Sequence, residues 1–236
     1  MAICYARESG GTLEIITKNY AKEVNSGIEF SEEDQEHWRH KWDKQVVYYA
    51  LQKDSVDIEG RALETKAVNL AFSTWNFEIP IKLKNVRGTD RTPDIYINFL
   101  TSDKDEHLKK GVLAYAYYPK TSHAGKIVFN EDYFWSLNGK PLNAHEAYPL
   151  QYPYNTKTTI KTYNLVHVLV HEIGHSLGLT HDKNDSKSVM WWSYTGRLDL
   201  SNYDIERITD KYGKRKWNTR IYLRMKRWLS RKKHGL

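Results

Sequence analysis

The amino-acid sequence predicts a mixed α/β or α+β sheet domain. Three patterns carry that reading: strand-like alternation at residues 95–100, an apolar stripe at helical spacing ahead of it, and a long apolar helix in the second half. In chain order, Gln45 to Leu51 (QVVYYAL) is β-branched and aromatic, as strands are. Between Glu59 and Phe77, Leu63, Ala67, Leu70, Ala71 and Trp75 recur at helical spacing and give a helix one apolar face. In PDIYINFL, Ile95, Ile97 and Phe99 alternate against Tyr96 and Asn98, which predicts a strand half-buried under that helix. VLAYAYY (112–118) and KIVFN (126–130) read as two more strands, and the Pro/Tyr/Asn-rich stretch from Gly139 to Asn155 as a long loop. Asn164 to Leu177 is apolar on most sides, as a buried helix is, and Gly178 closes it with a residue free to take positive φ. A last helix runs from Ser201 to Tyr212. Ser201 and Asp204 have the spacing of a capping box, and Gly213 ends the helix.

Composition narrows the class. The 236 residues suit one domain of generous size with appended arms. Hydrophobic residues at 40% and charged residues at 28% exclude a disordered chain. Mean hydropathy is −0.72, and no apolar run approaches the ~20 residues of a membrane span. Arg7 and Glu8 interrupt the opening residues before an apolar stretch builds, so no Sec-type signal peptide is visible and localisation stays unassigned. The one cysteine, Cys4, excludes an intrachain disulfide and a thiolate metal cluster, so any zinc must be held by histidines and carboxylates.

The net charge of +7 is concentrated at one end. From Lys214 the last 23 residues carry ten Lys or Arg and no acid, which leaves residues 1–213 with 26 basic and 29 acidic side chains, a balance of −3. Three zones follow: a polar arm over 1–38 with an acidic patch (Glu32, Glu33, Asp34, Glu36), a domain over 39–213, and a basic tail over 214–236. The tail sets Trp217, Ile221, Met225 and Trp228 on one helical stripe. Three readings compete: a segment docked on the domain, which is the one favoured, a segment lying on an anionic membrane, or one gripping phosphates.

The string that carries chemistry is HEIGHSLGLTHD, residues 171–182. His171 and His175, four apart on a helix, project from one face about a turn apart and can reach one Zn²⁺. Gly178 turns the chain so that His181 returns as a third ligand, and three imidazoles leave a tetrahedral position open for water. Glu172, beside the first ligand, is placed as general base. Met190, nine residues after His181 in SVMWWSY, stands where a methionine turn belongs. Three histidines and a glutamate facing an apolar core without a metal would be costly to bury.

With these motifs the chain resembles the matrixins, the matrix-metalloproteinase catalytic domains within the metzincin zinc endopeptidases. NLVHVLVHEIGHSLGLTHD, SVMWWSY and LSNYDIERITDKYG follow the matrixin C-terminal half. GVLAYAYYP with GKIVFNEDYFW resembles the segment carrying the substrate-aligning edge strand, DIYINFL an inner strand and KWDKQVVYYAL the first, over about residues 40 to 213. The resemblance implies a zincin-like, twisted, mostly parallel sheet with two long helices plus a C-terminal helix. It also implies one catalytic zinc, a protein or peptide substrate, a monomer, and a family that is typically extracellular. Substrate is expected along the strand near Lys126–Asn130. By resemblance His167 lies at the S1′ pocket, with packing on the helix flank as the equal alternative, and Tyr194 is a candidate pocket wall.

Departures from the family are equally specific. Tyr115 and Val128 stand where the family's structural-zinc histidines belong, so a second zinc is not expected. Asn130, Glu131, Asp132 and Tyr133 stand where the family has its calcium-binding D-D-D-E run, which argues against calcium there. The cysteine-switch motif is missing, and Cys4 is expected to be an ordinary thiol. Asp182 follows the third histidine, where vertebrate matrixins have Ser. His37, His40, His107, His123 and His145 lack metal-ligand spacing and are expected at the surface. The function expected is a zinc-dependent endopeptidase, against the alternative of a non-catalytic zinc-containing protein acting through its basic tail on anionic surfaces.

Overall fold

The computed structural model describes residues 3–7 as backbone, then 40–143 and 159–216, with 219, 222 and 225 of the tail. The sheet has six strands in the order β1-β5-β6-β4-β2-β3. These are β1 Ile3–Arg7, β2 Val46–Leu51, β3 Lys82–Asn85, β4 Ile95–Leu100, β5 Val112–Tyr117 and β6 Lys126–Asn130. β3, β2, β4 and β6 pair in parallel, β5 runs antiparallel to β6, and β1 antiparallel to β5. The mixed α/β class and the mostly parallel central sheet are therefore as the sequence implies.

Pleat alternation sorts the two faces. Ile95, Ile97 and Phe99 of β4 point into the main core with Val47, Tyr49 and Leu51 of β2. Helices α1 (Arg61–Asn76) and α2 (Leu165–Ser176) supply the other half of that core. Of the expected stripe of α1, Ala67, Leu70, Ala71 and Trp75 are buried and only Leu63 is turned outward. Leu63 is 46% exposed, and the buried face runs through Glu64, Ala67, Val68, Ala71, Phe72 and Trp75. Phe72 stacks on Tyr49 at 3.6 Å between ring centroids, and Trp75 Nε1 donates to Val170 O at 2.8 Å, tying α1 to α2. Helix α1 starts at Gly60 with no side-chain cap, so tertiary contacts rather than a capping motif fix its start.

The opposite face of β5 and β6 carries a second, smaller cluster of Leu108, Val112, Tyr115, Tyr117 and Val128. Tyr115 and Val128 are fully buried there. The Tyr115 hydroxyl donates to Asp105 at 2.5 Å, and Asp105 also faces Lys126 at 3.4 Å. Apolar packing and a local ion pair thus fill this place in the fold.

Helix α2 begins at Asn164, whose side chain accepts from Val166 N and His167 N, and the chain turns after Leu177 through Gly178 at φ 90°. A Cβ on Gly178 would lie 1.7 Å from His40 O, so both the conformation and the space demand glycine. Helix α3 (Asn202–Tyr212) has the expected capping box between Ser201 and Asp204. Two small sheets were not legible: β7 (Phe134–Ser136) pairs in parallel with β10 (Thr162–Asn164), and β8 (Leu142–Asn143) antiparallel with β9 (Thr159–Ile160). Strands of two or three residues carry no periodicity to read. β8 falls within the expected loop from Gly139, whose remainder lies outside the described residues, as do His37 and His145.

Candidate metal centre and active site

Helix α2 presents His171 and His175 from one face, and the turn at Gly178 returns His181 to them. The Nε2 atoms of His175 and His171 lie 3.0 Å apart, and those of His171 and His181 3.2 Å. Among the described residues this is the one group of three His, Cys, Asp or Glu donors that meets at a point. Ring orientation decides what the short contacts are. His171 Nδ1 donates to Val189 O and His175 Nδ1 to Leu179 O, both at 2.7 Å. A carbonyl can only accept, so in the neutral rings the proton sits on Nδ1 and both Nε2 atoms present lone pairs.

Burial keeps these rings neutral. It pushes the His171 pKa down to about 4, partly opposed by the Val189 hydrogen bond. Burial likewise holds His175 well below the usual imidazole range, with the charges of His171, His181 and Arg207 adding to the effect. Lone pairs facing each other at 3.0 Å repel unless a cation lies between them. Three nitrogens bound at ~2.0–2.1 Å around one tetrahedral ion sit about 3.4 Å apart, close to the observed spacing. The triad is positioned to bind a metal.

Met190 packs against the backbone of α2 between His171 and His175. Met190 is fully buried, and a Cβ on Gly174 would meet its Sδ at 2.2 Å, so the methionine turn packs directly on the backbone of α2. Glu172, next to the first histidine, is fully buried in the same helix. His167, one turn before His171, opens onto a cavity also lined by Val189, Tyr194, Gly196 and Arg197. The His167 and Tyr194 rings lie 6.5 Å apart at 29°, and the Tyr194 hydroxyl accepts from Asn164 N at 3.3 Å. Burial raises the Tyr194 pKa, which keeps the phenol protonated.

Helix α3 supports the site, and the sequence showed it only as a capped helix. Its Asp204 accepts from Ser188 Oγ and from Val189 N at 2.9 Å, fixing the segment whose carbonyl orients His171. Tyr212 OH donates to Leu177 O at 2.9 Å and accepts from Trp42 N at 3.1 Å, while Trp42 Nε1 donates to Ser176 O at 2.8 Å. Lys211 Nζ donates to His40 O at 3.1 Å, and burial, with the charges of Arg207 and Lys41, pushes its pKa down to about 7. His40 is therefore no plain surface residue: its Nδ1 bonds to Pro119 O at 2.8 Å and its ring stacks on Tyr118. No spacing rule flags these residues, because each acts across the fold.

The expected substrate path needs correction. β6 is paired on both sides, with β4 and with β5, and has no free edge. Next to β6 lies β5, whose continuation Tyr118 packs its ring edge on His175 at 5.9 Å and whose other edge faces away from β6. In this structure the outer edge of β5 is taken by β1, with Ile3 opposite Tyr117, Cys4 opposite Ala116 and Tyr5 opposite Tyr115.

The Matrixin family model matches residues 41–213 of the chain. The chain belongs to the matrixin family. Its zinc metalloendopeptidases include relatives of modest identity. Interstitial collagenase of Sus scrofa is 28% identical over 179 residues, 73% of this chain and 33% of that protein. Macrophage metalloelastase of Oryctolagus cuniculus is 29% identical over 184 residues, 74% and 34% of the two chains. Karilysin of Tannerella forsythia is 28% identical over 181 residues, 73% and 33%. The chain thus spans about a third of the length of the curated relatives it matches.

Proposed function

We propose that the chain is a zinc-dependent endopeptidase that hydrolyses peptide bonds of extended protein substrates. His171, His175 and His181 hold the zinc, and Glu172 is the general base. The observation that carries the reading is the convergence of imidazole nitrogens whose outer Nδ1 atoms are already committed to backbone carbonyls. The matrixin match favours this over a non-catalytic protein acting through its tail.

When bound, zinc supplies Lewis-acid polarisation and activation of water near neutral pH. The chain supplies the rest. The carbonyls of Val189 and Leu179 hold the two helical imidazoles in the ligating tautomer, so binding costs no reorientation. Glu172, fixed in α2, takes the proton of the attacking water and returns it to the departing amine. Substrate adds as a strand along the outer edge of β5, giving main-chain hydrogen bonds indifferent to side chain. β1 must yield that edge for it to do so. The cavity between His167 and Tyr194 then receives the side chain on the carboxyl side of the scissile bond.

Glu172→Gln separates binding from chemistry. The variant is expected to retain zinc and lose cleavage of an extended peptide by ~10²–10⁴-fold, the usual weight of general-base removal. Near-normal turnover would refute the role of Glu172.

A further inference from the structure

His171 and His175 share one helix face and each ring has its own carbonyl. His181 stands off the helix, so its place depends on the path of residues 179–182 after Gly178. On the near side Leu179 N donates to Gly174 O at 2.9 Å. On the far side Asp182 N donates to Met190 O at 2.8 Å, and Asp182 Oδ1 accepts from Asn184 N at 2.8 Å and Asp185 N at 3.2 Å. Thr180, immediately before His181, is held from α3. Arg207 Nη2 donates both to Thr180 O at 3.0 Å and to Thr180 Oγ1 at 2.8 Å.

The setting of that guanidinium is unusual. Arg207 Nη1 is buried with no hydrogen-bond partner in the protein, so the group is not there to satisfy its own donors. The side chain as a whole is half-buried, so it is this one nitrogen, not the whole cation, that is held from solvent. Asp204, three residues earlier on α3, fixes the segment that orients His171. One face of α3 therefore reaches both the methionine-turn segment and the segment that carries His181.

We infer that Arg207 is a positioning residue for the third metal ligand, clamping Thr180 so that His181 Nε2 completes the triad. The inference rests on the zinc reading above. Lysine at this position keeps the charge but lacks the planar fork, so it restores the clamp only in part.

The test is zinc release from the full chain, measured by chelator competition, for wild type, Arg207→Ala, Arg207→Lys and Thr180→Val. The melting temperature of each metal-free form is measured beside it. Arg207→Ala is expected to weaken zinc binding ~10–100-fold, the usual effect of removing a group that orients a ligand. Arg207→Lys should recover part of the loss. Thr180→Val, which keeps the carbonyl acceptor, should lose less than Arg207→Ala, and a chain carrying both Thr180→Val and Arg207→Ala should bind no worse than Arg207→Ala alone. A lower metal-free melting temperature with wild-type zinc affinity makes Arg207 merely structural and overturns the inference. If Arg207→Ala does not fold, Arg207→Lys and Thr180→Val decide: wild-type affinity in both overturns the clamp, and weakened binding supports it. A wild-type chain that binds no zinc would refute the zinc reading itself, and the inference with it.

Discussion

Arg215 belongs by composition to the basic tail, yet it is bonded into the domain. Its Nε donates to Asn76 O at 2.9 Å, and its Nη2 to Ile81 O at 2.9 Å and to Asn76 Oδ1 at 3.2 Å. Its main-chain N–H donates to Glu78 O at 2.9 Å. Asn76 ends α1, so the guanidinium serves a helix end whose carbonyls lack partners and whose dipole favours a cation. Replacing Arg215 by Ala removes three side-chain hydrogen bonds from a charged donor. Each is worth ~1.5–3 kcal/mol when fully buried. The side chain is only half-buried, so solvent screening and mutual dependence reduce the whole to about 1–3 kcal/mol. At ~2–4 °C per kcal/mol for a chain of this size, Arg215→Ala should melt roughly 2–12 °C below wild type. Truncation after Gly213 should show at least the same loss. Thermal melts of the three proteins, followed by near-UV circular dichroism, measure it. Arg215→Ala within 1 °C of wild type (~0.3 kcal/mol or less) would refute the docking.

Glu64 gives a pH signature. It is fully buried, one oxygen accepts from Ser55 N, and burial, ahead of nearby Asp54 and Glu131, raises its pKa from 4.5 to about 7. The folded state therefore holds this proton when the unfolded chain has lost it, so its contribution is full below pH 4.5 and is lost as pH rises through 7. Relative to wild type, Glu64→Gln should gain stability progressively between those values in denaturant melts, and a constant difference would contradict the assignment. Deleting residues 1–7 should speed cleavage of an extended peptide by exposing the outer edge of β5; unchanged rates would place substrate elsewhere. His167→Leu should alter the residue preferred on the carboxyl side of the cut, and an unchanged profile would leave His167 as helix packing.

Much of this was legible because it is local. Ile95, Ile97 and Phe99 alternate within six residues, and His171, Glu172 and His175 are fixed by one helical turn. What was not legible acts over long separations. β1 pairs with a strand more than a hundred residues away, and β3 has two exposed lysines in four residues and so shows no apolar face. Asp204 is visible as a cap from its spacing to Ser201, but its grip on Val189 needs the fold. Arg207 and Lys211 read as solvated helix charges, and only tertiary contact turns them inward. That β6 has no free edge was hidden for a related reason: β5 and β6 are both buried strands, and sequence does not say which lies between two partners of the core sheet.

The most direct test of the central claim is cleavage of a degenerate peptide library by the purified chain, with zinc content measured on the same sample before and after chelation. The account predicts cleavage that is lost with the zinc and restored by one equivalent per chain. Cleavage that survives complete removal of zinc, or a chain carrying one zinc at His171, His175 and His181 that cuts nothing even without residues 1–7, would contradict it.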